Sequence, residues 1–128
     1  PSTGITKYPL SIQGGLDSTV RFFVYDGTNI PSVRIPFTDI FDNIWHHVCF
    51  VIDFSANRLI IYVDGVFHTE TINTVTATTA TTDPIYVGNN QAGTRGFIGN
   101  LAKIRAYMKL ITAEQVEVIY NTERRDFI

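Results

Sequence analysis

The feature that most limits what this chain can become is its series of tight turns between alternating apolar segments. The clearest instance is IIYVDGVFHTE, residues 60–70. Ile61 and Val63 stand before Asp64-Gly65, and Val66 with its neighbour Phe67 follows. Asp-Gly suits a two-residue hairpin turn because both central residues must take positive φ, which Asp tolerates and Gly adopts without steric cost. Asp64 is therefore read as a turn residue and not as an acid reserved for catalysis.

The same grammar runs through the chain. YPLSIQ reads as a short strand, GGLDS as a turn and TVRFFVYD as the next strand, with DGTN closing a hairpin into IPSVRIPF. Pro31 and Pro36 have no N–H to give a ladder, which sends that strand to a sheet edge or a bulge. TDIFDNI is expected to be a loop or one helical turn, and WHHVCFVIDF, long and rich in β-branched and aromatic residues, a central strand. SANR turns the chain into RLIIYVD, and the Asp-Gly hairpin continues into VFHTETI. The Thr-rich INTVTATTATTDP reads as a long surface loop or a further edge strand. IYVG and FIGNLAKIRAYM are expected to be strands, separated by the polar loop NNQAGTRG. The period then changes. In TAEQVEVIYN, Thr112 and Gln115 occupy capping-box positions while Val116, Ile119 and Tyr120 recur at helical spacing, predicting a short amphipathic helix. Many strands, tight turns and one terminal helix predict an all-β, two-sheet antiparallel sandwich with a short C-terminal helix.

Composition removes several function classes. The 128 residues fit one domain, and 45% apolar content is enough for a core. Ten basic against twelve acidic residues, with no basic run beyond Arg124-Arg125, give no surface for releasing counterions from nucleic acid. No apolar run approaches the ~20 residues that span a bilayer, so membrane insertion is not expected. The chain opens Pro-Ser-Thr without Met and is read as a piece of something longer. Cys49 lacks an intrachain partner and, inside an apolar run, is read as a buried thiol.

Taken in order, WHHVCFVIDFSANRLIIYVDG, PIYVG and FIGNLAKIRAYMKLITAEQVEVIYN resemble the concanavalin A-like jelly-roll of laminin G-like and pentraxin-like domains. The resemblance rests on Trp45, His47, Asp64, Gly65, Gly88, Phe97, Gly99, Arg105, Tyr107 and Thr112, and covers roughly residues 45–121. It implies a jelly-roll fold over residues 1–128 as a single domain whose first strands are missing. An upstream segment or a neighbouring chain would then complete the sheet. In the pentraxin branch His47 and Cys49 match a His-x-Cys pair, but the Ser/Thr-Trp expected next is absent. The resemblance would pair that cysteine with one in an earlier strand, which this chain does not contain.

The same resemblance guides the site. The loop that carries Ca²⁺-ligating acids in pentraxins is matched here by Asn89, Asn90 and Gln91, and the acidic pair of the Phe-x-Gly strand by Ala102 and Lys103. A hard cation wants about six to eight oxygens, several of them charged, so no cofactor is expected; Ca²⁺ is the single candidate, with Asp17 and Asp83 as carboxylates that could reach it across space. His46 and His47 are adjacent on a strand and face opposite ways, which keeps them from sharing a metal, while His68 could meet one of them across the hairpin. Trp45 is read as a cap on the core with its indole N–H near water; Tyr25, Tyr86 and Tyr107 alternate with apolar residues. The fold also hosts glycoside hydrolases, but their Glu-x-Asp-x-(x)-Glu strand is absent. Glu70 stands alone in a hairpin, and Glu114, Glu117 and Glu123 belong to the helix and tail. The reading is a non-catalytic recognition or adhesion module of an extracellular or virion-surface protein. Asn89, Asn90, Gln91 and Arg95 would contact a glycan or a cell-surface or structural protein. The alternative is a structural spacer or decoration of a fibre, capsid or surface layer.

Overall fold

The computed structural model describes residues 10–14, 17–75, 87–88, 96–107 and 109–127. Strands β1 (Leu10–Gly14), β2 (Thr19–Val24) and β3 (Ser32–Pro36) form one antiparallel sheet in that order. Strands β4 (Val48–Asp53), β5 (Arg58–Val63) and β6 (Val66–Ile72) form a second. A 3₁₀ turn at Phe37–Asp39 leads out of β3, and the chain ends in helix α1 (Ala113–Glu123) and a 3₁₀ turn at Arg124–Phe127. The all-β sandwich with its short C-terminal helix is therefore as the sequence predicts.

Side-chain alternation decides how the layers stack. From β2, Val20, Phe22 and Val24 point to the same side as Val33 and Ile35 of β3, and meet Leu59 and Ile61 of β5. Val48, Phe50 and Ile52 of β4 close on the same cluster, with the Phe22 and Phe50 rings 5.1 Å apart across the sheets. The intervening residues face the other way. Cys49, Val51, Ile60 and Tyr62 pack against Ile111, Val116 and Ile119. β4 and β5 are thus covered on both faces, by the first sheet and by α1, and read as near-continuous apolar runs for that reason, whereas β6 stays largely exposed and polar.

Each turn uses an acid or a residue at positive φ. Asp26 accepts from the backbone N–H groups of Thr28 and Asn29 at 2.9 and 2.7 Å, and Asp53 accepts from the Ala56 N–H at 2.9 Å. These amides hold both carboxyls below the ordinary aspartate range. Asp64 and Gly65 take φ of 52° and 81°, the pair of positive values required between the facing residues Val63 and Val66. In β6 the register slips: Ile61 faces Thr69 while Tyr62 faces Phe67. His68 is left unopposed, a bulge that swings its ring to Asp39 at 2.8 Å. The capping box is formed, with Thr112 Oγ1 accepting from Gln115 N and Gln115 Oε1 accepting from Thr112 N. Ile111 and Val116, one residue before the cap and four after it, share a cluster and staple the helix start.

Two strand expectations are corrected. WHHVCFVIDF was expected at the centre of a sheet, but β4 is the outer strand and β5 the central one among the described residues. FIGNLAKIRAYM was expected to be a strand, yet residues 97–107 carry no ladder. Gly99 at φ 145° and Lys103 at φ 50° break the pleat. The Lys103–Asp126 ion pair and the Arg105–Glu123 pair at 2.7 Å tie the segment to the chain's end instead. Among the described residues IPSVRIPF does run as an outer strand, where Pro36 needs no ladder donor.

Leu59→Ala should destabilise the chain by about 2–5 kcal/mol in urea unfolding, because a fully buried side chain leaves a cavity between sheets that cannot collapse far. Ile72→Ala, at a side chain 61% exposed, should cost well under half of that.

Candidate functional site

The Asp64 turn does more than reverse the chain. Asp64 Oδ1 accepts from the His47 backbone N–H at 2.9 Å, and its own N–H donates to the His47 carbonyl at 2.8 Å. Oδ2 lies 2.7 Å from His46 Nδ1. The other ring nitrogen, Nε2, lies 3.0 Å from Asp42 Oδ1, which also accepts from the Ile44 N–H. One imidazole thus bridges two carboxylates. An ionised carboxylate only accepts, so both ring nitrogens must donate, and only the imidazolium can do that. Burial works against charge on His46, but the bonds to Asp64 and Asp42 outweigh it and hold its pKa above the usual histidine value.

Beside this turn lies an open groove of about 440 Å³ between the β5–β6 hairpin and α1. Tyr62, Phe67 and Tyr120 give it aromatic walls, and Glu114, Glu117 and Asn121 a polar rim. Tyr62 and Phe67 meet edge to face, their centroids 6.3 Å apart. Burial, reinforced by the negative charge of neighbouring acids, pushes the Tyr62 hydroxyl up and keeps it a donor. Gly65 lets the hairpin approach the helix. A Cβ there would stand 2.8 Å from Tyr120 Cδ1.

Asn89, Asn90, Gln91 and Arg95 lie outside the described residues, as do Asp83 and Tyr86. What is visible is the stem of their loop, where Phe97 N–H donates to the Gly88 carbonyl at 2.7 Å. His46 and His47 go separate ways. The His47 ring packs 6.1 Å from Tyr120, and His68 pairs with Asp39 on the far side of the sheet. Among the described residues no three His, Cys, Asp or Glu side chains converge as metal ligands. Asp17 is spent on Thr19 and Arg34. Burial pushes the Cys49 thiol up, which leaves it unreactive against Val51, Tyr62 and Val116. Trp45 stays half exposed and packs on Phe127 at 4.9 Å. Glu70 pairs with Arg58 at 3.7 Å and Glu123 with Arg105.

The Asp42–His46–Asp64 bridge is what residue-by-residue reading missed. Asp42 and His46 are four residues apart outside any helix, and the third member arrives only when the hairpin folds back.

Gly65→Ala should lower stability by roughly 1–3 kcal/mol through both the positive φ and the collision with Tyr120. Asp64→Ala should cost about 1–3 kcal/mol by orphaning the His47 N–H. Asp64→Asn, which keeps the turn type and one acceptor, should fall between wild type and Ala in a urea melt.

No curated protein matches this chain. Among solved structures it resembles the 2.1 Å crystal structure of an S-layer domain-containing protein (residues 221-444) from Clostridium thermocellum ATCC 27405, with a TM-score of 0.50 and 12% identity. The match covers 89% of this chain and 57% of that one, and at such identity the likeness is one of fold. Residues 2–117 match the family Laminin_G_3, the concanavalin A-like lectin/glucanases superfamily, and the chain belongs to it.

Proposed function

We propose that this domain is a non-catalytic recognition module of an extracellular or virion-surface protein, with the loop at Asn89, Asn90, Gln91 and Arg95 as its contact for a glycan or a protein surface. The observation that carries this reading is the pinned stem of that loop. The Phe97–Gly88 hydrogen bond closes its base, and loops based on a rigid scaffold are where binding residues concentrate. Carboxamides can pair with sugar hydroxyls or backbone amides, and Arg95 adds a forked donor for an anionic group.

The non-catalytic part rests on how the acids are employed. Asp26 and Asp53 cap turns, Asp64 and Asp42 hold His46, and Glu70 and Glu123 meet arginines. Glu114 and Glu117 both project from α1 into an open groove, whereas glycoside cleavage needs two carboxylates flanking one bond.

A second reading, structural decoration of a surface layer, draws on a specific feature. Ile98, Leu101 and Ile104 are 98%, 51% and 61% exposed on a segment with no ladder partner among the described residues. Such a stripe suits coverage by an upstream segment or a neighbouring chain completing a sheet, and the fold likeness to an S-layer domain-containing protein fits it too.

A glycan array probed with the domain and with Asn90→Ala and Arg95→Ala separates the readings. The recognition reading expects binding that falls at least several-fold in one variant, without change in melting temperature. Binding untouched by both, or none at all, leaves the structural reading ahead. Adding Ca²⁺ or a chelator should leave melting temperature and binding unchanged; a Ca²⁺-dependent rise in either would overturn the cofactor-free reading.

A further inference from the structure

The bridge at His46 extends the backbone tie between His47 and Asp64 outward to Asp42. Asp42 belongs to the loop after the 3₁₀ turn, and Asp64 to the tip of the β5–β6 hairpin. On and beside this loop the chain displays Phe41, Ile44 and Trp45, which are 49%, 67% and 46% exposed. We propose that Asp42, His46 and Asp64 form a pH-operated clamp: the loop 41–47 is fastened at both ends while the imidazole carries two protons, and its outer end is released when one proton leaves.

The two ends are not equivalent. Asp64 is held from three sides, by His46 Nδ1 at 2.7 Å, by the His47 N–H, and through its own N–H to the His47 carbonyl. Asp42 touches the ring at 3.0 Å and otherwise holds only the Ile44 N–H. A neutral imidazole has one N–H to give, and it keeps the better-anchored partner. Nδ1 therefore retains its proton, Nε2 presents a lone pair to the Asp42 carboxylate, and that contact turns from attraction to repulsion. The turn at Asn43, already at φ 67°, loses its tie.

Among the described residues the neighbouring groups do not supply a substitute cation. His47 faces away, toward Tyr120 of α1, and Arg124 lies over the Tyr120 ring at 5.6 Å. Lys103 pairs with Asp126 and sits over Phe127 on the far side of Trp45. The sign follows from the raised value of His46. Its contribution is complete below the unfolded histidine pKa of about 6.5 and disappears as pH rises through the higher folded value.

Trp45, the single tryptophan, precedes His46 in the same loop and packs on Phe127, so its emission reports a change in how that loop is held. The test titrates the intact chain from about pH 5 to 9, following the ring ¹⁵N signals of His46 and the emission of Trp45. The clamp predicts a midpoint above about 6.5, loss of the Nε2 proton with Nδ1–H kept, and a Trp45 transition at the same midpoint. Asp42→Asn, at an exposed turn, should lower that midpoint, and His46→Gln should abolish the Trp45 transition. A midpoint at or below 6.5, an Asp42→Asn variant with an unshifted midpoint, or a Trp45 transition that survives His46→Gln would overturn the proposal.

Discussion

Desolvation of β5 on both faces is the constraint around which the other elements are placed. Leu59 and Ile61 are fully buried toward the first sheet, and Tyr62 with Ile60 is covered from the other side by α1 and Ile111. Each such side chain contributes roughly 1.5–3 kcal/mol by leaving water, but only if both layers are in place. The requirement propagates outward. β4 and β6 must flank β5 to satisfy its backbone, β2 and β3 must roof one face, and the helix must close the other. The staple of Ile111 on Val116 and the capping box at Thr112 fix where that helix starts and hence which of its residues meet Tyr62.

The deployment of charge is the second theme. Acids in this chain serve backbone amides and turns more than solvent. Asp26 and Asp53 each accept from backbone N–H groups at the reversals they close. Asp64 does so at long range, reaching the strand that precedes its own hairpin. A carboxylate committed to two partners is poorly placed to shuttle protons for a reaction. This is why the proposed role is recognition, and why the chemistry of the molecule is better sought in its histidines than in its acids.

Much of the fold could be read from local signals because those signals are local in origin. Asp64-Gly65 demanded a turn whatever surrounded it, Thr112 and Gln115 formed their box within one helical turn, and Pro36 could only sit where no ladder donor was wanted. The failures were all decisions made elsewhere in the chain. WHHVCFVIDF has the composition of a strand covered on both faces, which it is, but coverage does not say whether an adjacent strand also pairs its edge. LAKIRAY has strand propensity, and two ion pairs to residues about twenty positions away hold it against the C-terminal turn instead. The polar loop proposed as a contact rests on composition and on the family resemblance, and its residues Asn89, Asn90, Gln91 and Arg95 lie outside the described ones. The His46 bridge had no linear trace, because its members come together only through the hairpin.

The strand order carries a consequence for how the molecule is made. Among the described residues every ladder pairs a strand with its immediate predecessor or successor, β1 to β2 to β3 and β4 to β5 to β6. Each sheet is therefore a meander that can zip within a short stretch of chain, with little loop-closure entropy to overcome before the first bonds form. The long-range step is the docking of one finished meander on the other, through contacts such as Phe22 on Phe50 and Ile35 beside Leu59. For these six strands the non-local step is the docking of two preformed meanders, and it is at that step that the entropy of bringing distant segments together must be overcome.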